Sequence, residues 1–297
     1  MPCEEGSWGD LKPLKRYGIV DLIPYRNLYR LGIQGRIREV KVKMETDFSD
    51  KVVMVTGASR GIGRKIARQF SERGARIVVH YHNNRKAAEQ TLSELCGNAH
   101  QIFQADLGDA AAVGNMADQA VQEMGKIDFL VNNAGVYEFH AIATTTFDDW
   151  QLSWENTIST NLLGPAHLSY KIARHMMKSG GGKIINITSR GAFRGEPNAP
   201  AYGASKAGLN AFSQSMAQAL APHNVFMYAV APGFVETDMT VSLLSGAEGD
   251  AIRAQSPLNR VARSDEVAGV VLFLAGEGTD YLTGSIIDVN GASYLRT

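Results

Sequence analysis

The sequence predicts a doubly wound α/β domain, a seven-stranded parallel sheet with helices on both faces. Three observations predict it. Seven short apolar runs rich in β-branched residues recur along the chain, longer stretches of helical periodicity separate them, and a glycine-rich turn follows the first run directly. Strands that are apolar throughout are buried on both faces. Alternation of such strands with helices, through right-handed crossovers, gives a parallel sheet between two helical layers.

The elements follow in order. The first strand is "KVVMV" (51–55), which runs into "TGASRGIG" (56–63) and a helix over 63–73. The second strand is "RIVVH" (76–80) and the third "QIFQA" (101–105), with a helix over 109–124 behind it. "FLVN" (129–132) is the fourth, followed by one long helix over 147–178. "KIINI" (183–187) and "VFMYAV" (225–230) flank a helix over 202–221; a helix over 264–275 leads to "SIIDV" (285–289). The longest apolar run, "VAGVVLFLAG" (267–276), is too short to span a bilayer and reads as buried helix. No composition shift or repeat divides residues 44–297, so they form one domain.

The chain has 297 residues, 44% hydrophobic, enough for a large core. A formal net charge of +0 supplies no general attraction for nucleic acid or an anionic membrane. Cys3 and Cys96 form neither a metal-ligand spacing nor a disulfide framework, which suits a reducing, cytoplasmic setting. Residues 1–43 differ, with nine Lys or Arg against five acids and no signal-peptide core. Met44 stands just before the first strand. Two readings stay open, a basic N-terminal extension or translation that starts at Met44.

In a doubly wound sheet, ligands bind at the carboxyl ends of the strands. Gly57, Gly61 and Gly63 permit a tight turn and close approach of a pyrophosphate to a helix N-terminus. The turn is not a Walker A loop, because Ile62 stands five residues after Gly57 and Lys65 is followed by Ile66. Further along, "AYGASKAGL" (201–209) places Tyr202 and Lys206 one helical turn apart among small residues. Alone, that pair also fits an ordinary helix with a polar stripe. His80 and His82 alternate onto one strand face without a third ligand nearby, a weak case for a metal. "NIT" (186–188) matches a glycosylation acceptor but lies in a strand expected to be buried.

Together these stretches resemble the short-chain dehydrogenase/reductase family. The resemblance is carried by "TGASRGIG" (56–63), "AD" (105–106), "NNAG" (132–135), Asn161 in "STNLLG", Ser189 in "NITSRGA", "YGASK" (202–206) and "APGFVETDM" (231–239). The spacing agrees too, with 28 residues from Asn161 to Ser189 and 13 from Ser189 to Tyr202. It covers residues 44–297, whose 254 residues match the family's usual domain length.

The resemblance implies a Rossmann-type fold and an NADP(H)-dependent enzyme acting on a carbonyl or secondary alcohol. Its catalytic tetrad would be Asn161, Ser189, Tyr202 and Lys206. Tyr202 would exchange the proton, Ser189 hold the substrate oxygen, Lys206 bind the nicotinamide ribose and tune Tyr202, and Asn161 hold a water beside Lys206. The cofactor would also contact Gly57, Ser59, Arg60, Gly61, Ile62, Gly63, Tyr81, Asp106, Leu107, Asn133, Ala134, Gly135, Pro232, Gly233, Val235 and Thr237. After the second strand no acid occurs until Glu89, and Arg60, with Arg85 nearby, can meet a 2′-phosphate. That pattern implies NADPH over NADH.

Within the family the chain looks most like 3-oxoacyl-[acyl-carrier-protein] reductases, so the substrate would be a small carbonyl compound, acyl thioesters included. Gly180 and His223 stand where such reductases carry arginines for the carrier protein, which keeps a general ketone or 3-hydroxyacyl reductase open. The loop Gly233–Pro257 would cover the substrate, and the helices 147–178 and 202–221 would build a homotetramer. A non-catalytic sensor or scaffold on the same fold is the second reading. Such proteins typically lose the tyrosine or the lysine, and both are present here.

Overall fold

The computed structural model describes residues 47–237, 240–241 and 244–296. The expected N-terminal extension over 1–43 lies outside them. Seven parallel strands form the sheet, β1 (Val52–Val55), β2 (Arg76–Tyr81), β3 (Gln101–Gln104), β4 (Phe129–Asn132), β5 (Gly182–Ile187), β6 (Val225–Pro232) and, after the short β7 and β8 given below, β9 (Ile286–Val289). Their order is β3-β2-β1-β4-β5-β6-β9, so the chain reverses direction across the sheet between β1 and β4. All seven expected strands are present, with ends displaced by at most two residues.

The apolar runs divide between two cores with the period of two that a strand imposes. Val53, Val55, Ile77, Val79, Phe129, Val131, Ile185, Tyr228 and Val230 face one layer, with α1 (Gly61–Ser71) and α9 (Ser264–Ala275). Val52, Met54, Val78, Leu130, Ile184, Val225 and Met227 face the other, with α3 (Ala110–Met124), α5 (Gly164–Met176) and α7 (Pro200–Leu220). Below β1 and β4, Phe48 packs edge-on against Phe70 and Phe129, with ring centres 4.8 and 5.6 Å apart. Each fully buried side chain of this size contributes roughly 1.5–3 kcal/mol.

A polar rung crosses the second core. Asn132 Nδ2 donates to Ser169 Oγ at 3.0 Å and to Asn186 Oδ1 at 2.8 Å. Asn186 Nδ2 donates in turn to Ser213 Oγ at 2.8 Å. The rung ties β4 and β5 to α5 and α7. It also consumes the Asn186 side chain inside the protein, where no glycan could be attached.

Several expectations need correction. The helix over 147–178 is three pieces, α4 (Phe147–Ile158), a π-helical turn (Ser159–Leu163) and α5. The extra residue per turn coincides with Asn161, whose side chain is held by backbone outside the helix. Helix α2 (Arg85–Ser93) is absent from the sequence reading because only Ala88 and Thr91 of its residues are buried. Asn84 caps it by accepting from Ala87 N–H at 3.0 Å. A four-residue helix, α6 (Gly191–Arg194), follows β5 directly. The segment 233–257 is not a plain loop, since it contains β7 (Val235–Glu236) and α8 (Gly246–Arg253), and β7 pairs with β8 (Ala262–Arg263).

Candidate active site

The carboxyl ends of β1, β4, β5 and β6 converge where the strand order reverses. At the end of β1 the glycine turn is held from three sides. Thr56 Oγ1 accepts from Asn133 N–H at 2.9 Å and Ala134 N–H at 3.0 Å, fixing "NNAG" against it. Asn133 Nδ2 donates to the Thr56 carbonyl at 2.9 Å. From behind, Arg64 donates to the Ser59 carbonyl at 2.6 Å and to Thr91 Oγ1 at 3.0 Å.

His80 supplies the third support. Its Nδ1 accepts from Gly57 N–H at 3.1 Å, so Nε2 carries the proton and donates to the Ala105 carbonyl at 3.1 Å. Burial pushes this imidazole down to about 4, so it stays neutral in that tautomer. His82 lies beyond the strand end, 3.7 Å from Asp106. The two histidines therefore serve separate structural and surface environments, and among the described residues no cluster of three metal-binding side chains occurs.

The turn fits a dinucleotide. Gly57 has φ +62°, and a Cβ at Gly63 would lie 2.4 Å from the Gly57 carbonyl oxygen, so only glycine allows this closeness. Helix α1 begins at Gly61 with no side-chain cap on its N–H groups, leaving donors and the positive end of the helix dipole for an anion. Thr237 closes the turn from the β6 side, since a Cβ at Gly61 would meet its Cγ2 at 3.3 Å. Val235 is buried beneath it, and Pro232 and Gly233 end β6, with the Gly233 N–H donating to the Val289 carbonyl at 3.0 Å.

On the β2 side, Tyr81 is buried and Arg60 is exposed without a side-chain partner among the described residues. Ile62 packs against the first core from inside the turn. Arg85, in contrast, is engaged with Glu89 at 2.8 Å. Asp106 is exposed, with Oδ1 accepting from Gly108 N–H at 2.8 Å, and Leu107 is buried under it. Thr56 ties "NNAG" to the glycine turn, and Thr237 meets the same turn from the β6 side.

The proton-handling groups lie on α7 and just after β5. Lys206 is buried, and its Nζ donates to the Ile187 carbonyl at 2.9 Å, with the ring centre of Tyr202 5.8 Å away. Burial alone pushes the ammonium down to about 8. The Tyr202 phenol is pushed up from its ordinary value, chiefly by burial and further by Glu196, while a hydrogen bond with the Ser189 side chain pulls it down. Lys206 is not among those influences here. It lies over the face of the ring rather than against the hydroxyl. Ser189 Oγ also accepts from Gly191 N–H at 3.0 Å.

Asn161 is buried in the π-helical turn. Its Oδ1 accepts from Val136 N–H at 2.8 Å and its Nδ2 donates to the Val136 carbonyl at 2.9 Å and to Ser205 Oγ at 3.2 Å. The side chain is therefore a clamp on the segment after β4. Gly135 separates it from Lys206, since a Cβ there would lie 3.1 Å from Asn161 Oδ1 and 3.4 Å from Lys206 Nζ.

Sequence reasoning missed Thr56, Tyr137 and Glu196. The Tyr137 ring meets Tyr202 edge-on at 4.8 Å, and its hydroxyl donates to Glu196 Oε2 at 3.4 Å. Burial, with the Glu196 carboxylate, pushes the Tyr137 phenol up to about 12, which leaves it a hydrogen-bond donor at any ordinary pH. No spacing rule marks these residues, because each acts across segments far apart in sequence.

Fold and cluster together define the class, a Rossmann-type oxidoreductase that works on a carbonyl with a dinucleotide. Comparison with known proteins agrees. The family model described as "Enoyl-(Acyl carrier protein) reductase" matches residues 57–292. The Escherichia coli (strain K12) protein named 3-oxoacyl-[acyl-carrier-protein] reductase FabG is 36% identical over 249 residues, 84% of this chain and 99% of the relative. A Staphylococcus epidermidis protein of the same name is 36% identical over 248 residues, 83% of this chain and 100% of the relative. A crystal structure of a short chain dehydrogenase from Burkholderia cenocepacia J2315 in complex with NADP aligns with TM-score 0.76 and 30% identity, covering 83% of this chain and 98% of that one. The chain belongs to the short-chain dehydrogenase/reductase family.

Proposed function

We propose that this protein is an NADPH-dependent reductase of 3-oxoacyl compounds or closely related ketones. The observation that carries the reading is the chain of contacts from Lys206, against Gly135 of "NNAG", through Thr56 to the uncapped, glycine-lined start of α1, with Tyr202 one turn from Lys206. The names of the relatives and the NADP of the Burkholderia structure support the choice of substrate class and cofactor. NADPH, when bound, supplies the hydride for the carbonyl carbon. The glycine turn and α1 would hold its pyrophosphate, Asp106 its adenine, "NNAG" its adenosine ribose, and Lys206 and Tyr202 its second ribose.

The chain's own groups do the rest. The Ser189 hydroxyl is near enough to pull the Tyr202 phenol down, so one carbonyl oxygen can accept from both hydroxyls. Tyr202, protonated in this environment, gives its proton to that oxygen as the alcohol forms. The charge left on the phenolate would be met by Lys206, whose Nζ lies 5.8 Å from the Tyr202 ring centre and would approach the hydroxyl only once cofactor and substrate are bound. Asn161 keeps the Val136 segment, and with it Gly135, against Lys206. NADPH oxidation with a panel of 3-oxoacyl thioesters and simple ketones tests the reading. A protein that binds NADPH and turns over none of them would be a sensor instead.

The preference for NADPH rests on Arg60. A charge-assisted contact with the 2′-phosphate is worth about 1.5–3 kcal/mol, or roughly 10- to 100-fold in kcat/KM over NADH. Tyr81, where NAD-selective members place an acid, offers no repulsion. Arg60→Ala is expected to erase most of the ratio, and Tyr81→Asp to favour NADH. An unchanged ratio in Arg60→Ala means the phosphate is read elsewhere.

Assembly is also proposed. Leu152 in α4, Leu163 at the end of the π turn and Tyr170 in α5 are 64%, 45% and 57% exposed, apolar surface suited to a second copy. A homotetramer, or at least a dimer, is expected in sedimentation at micromolar concentration, and a monomer alone would refute it. Among the described residues no helix is long and apolar enough to cross a membrane.

A further inference from the structure

Directly after Ser189 the chain buries a guanidinium. Arg190 is 3% exposed, and no carboxylate lies within ion-pair distance of it among the described residues. Its partners are neutral. Nη1 donates to Ser293 Oγ at 2.6 Å and Nη2 to Gln255 Oε1 at 2.9 Å. The guanidinium lies 5.4 Å from the ring centre of Phe234. Its backbone N–H donates to the Pro232 carbonyl at 2.8 Å. A buried cation without an ion-pair partner costs free energy that an apolar side chain of the same length would not. Burial and the neighbouring Arg194 push it below its ordinary value, and the Glu196 carboxylate opposes them in part. A costly group one residue from Ser189 calls for a local role.

Arg190 joins three segments far apart in sequence, the turn after β5, the chain leaving α8, and the tail after β9. The same three meet at further points. Ser256 Oγ donates to the Gly291 carbonyl at 2.6 Å. Arg296, paired with Asp288 at 2.7 Å, lies 4.4 Å from the Phe193 ring centre. Gln255 Oε1 also accepts from Arg194 at 3.3 Å. A cavity of about 140 Å³ lies beside Arg190, lined also by Phe234, Ile252, Leu258 and Ser293. The rim can shift into that space once the fork of donors is gone.

We infer that Arg190 is a positioning residue for carbonyl reduction, holding Gln255 and Ser293 together so that the Ser189 turn and the adjoining rim over 252–258 keep one geometry. The inference rests on the reductase reading above. It assigns a cause to the arginine that neither packing nor cofactor binding supplies, since none of its side-chain contacts belongs to the cofactor rim except Phe234, next to Gly233.

The test compares wild type with Arg190→Met, Arg190→Lys, Gln255→Leu and Ser293→Ala. Gln255 is exposed, so its variant leaves packing intact. Losing one hydrogen bond to a charged group is expected to lower kcat/KM for the carbonyl substrate about tenfold. NADPH affinity, read by fluorescence titration, stays within about twofold. Arg190→Lys recovers part of the loss at most, because an ammonium cannot span both acceptors. Arg190→Met combined with Gln255→Leu is no worse than Arg190→Met alone. Amide exchange over 252–258 and 291–296 quickens about tenfold in Arg190→Met.

Wild-type kcat/KM in Gln255→Leu and Ser293→Ala overturns the inference, as do losses that simply multiply or NADPH affinity that falls in step. If Arg190→Met does not fold, those two single variants decide. A wild type without turnover overturns the reductase reading instead, whereas unchanged amide exchange in Arg190→Met overturns the Arg190 link alone.

Discussion

Tyr202→Phe is expected to fold, bind NADPH and lose about 10²–10⁴-fold in kcat, the range that a positioned general acid supplies. The substitution removes one oxygen and nothing else. The ring keeps its edge-on contact with Tyr137 at 4.8 Å. Ser189 keeps the hydrogen bond it receives from Gly191 N–H at 3.0 Å, so the oxygen-binding half of the site persists. What disappears is the proton. Burial pushes the Tyr202 phenol up, which keeps that proton in place until the carbonyl oxygen gains charge. Neither Tyr137 nor Ser189 replaces it, the first being turned to Glu196 and the second far less acidic. Stopped-flow reduction of one ketone with saturating NADPH reads the chemical step. A variant that retains more than about a tenth of the wild-type rate would sink the assignment.

Lys206→Met is expected to lose about 10²–10³-fold in kcat, the cost of removing one preorganised charged donor, without losing stability. The sign follows from burial. Lys206 titrates at about 8 in the folded protein, below its ordinary value of 10.5. The unfolded chain therefore binds its proton more tightly, and the charged side chain opposes folding at neutral pH. The penalty is fully present below about pH 8 and is relieved as pH rises toward 10.5. At about 1.4 kcal/mol per unit it is on the order of 3 kcal/mol. Loss of the donor to the Ile187 carbonyl offsets part of the gain, about 1–3 kcal/mol. Thermal denaturation at pH 7 should give a Tm equal to or above that of wild type. A drop of many degrees, or a rate within tenfold of wild type, would show that Lys206 is a structural residue.

The strands were legible because burial on both faces leaves no polar interruption, as in Val52–Val55, where all four residues are buried. The pairing of Tyr202 with Lys206 was legible because a helical turn fixes it locally, whereas Asn161 and Ser189 were named only through the family resemblance. What stayed hidden follows from the same physics. Helix α2 puts only Ala88 and Thr91 inside, too few to impose a period. The π turn at Ser159–Leu163 is set by the Val136 backbone, 25 residues away from Asn161, and periodicity within 147–178 cannot register it. His80 shares a face with His82 by strand period, yet one is locked between Gly57 and Ala105 while the other lies past the strand end. Arg190 and Thr56 act through hydrogen bonds between distant segments, which leave no trace in local composition.

The amide rung from Asn132 through Asn186 to Ser213 makes the seating of α7 a matter of discrete steps. Between two apolar surfaces a helix can creep in small increments, because dispersion attraction given up on one side is regained on the other. Hydrogen bonds do not permit that. A slip of one residue carries Ser213 about 1.5 Å along the axis and about 100° around it, well out of reach of Asn186. Tyr202 and Lys206 ride on the same helix, and productive geometry tolerates only about 0.5 Å. The rung thus acts as a detent, a mechanical stop that indexes the proton donor to the sheet. Asn132 is the last residue of β4, and β5 runs only one residue past Asn186, so the loops that face the substrate begin just beyond the stop. They can be remodelled for a new carbonyl partner while the chemistry stays in register.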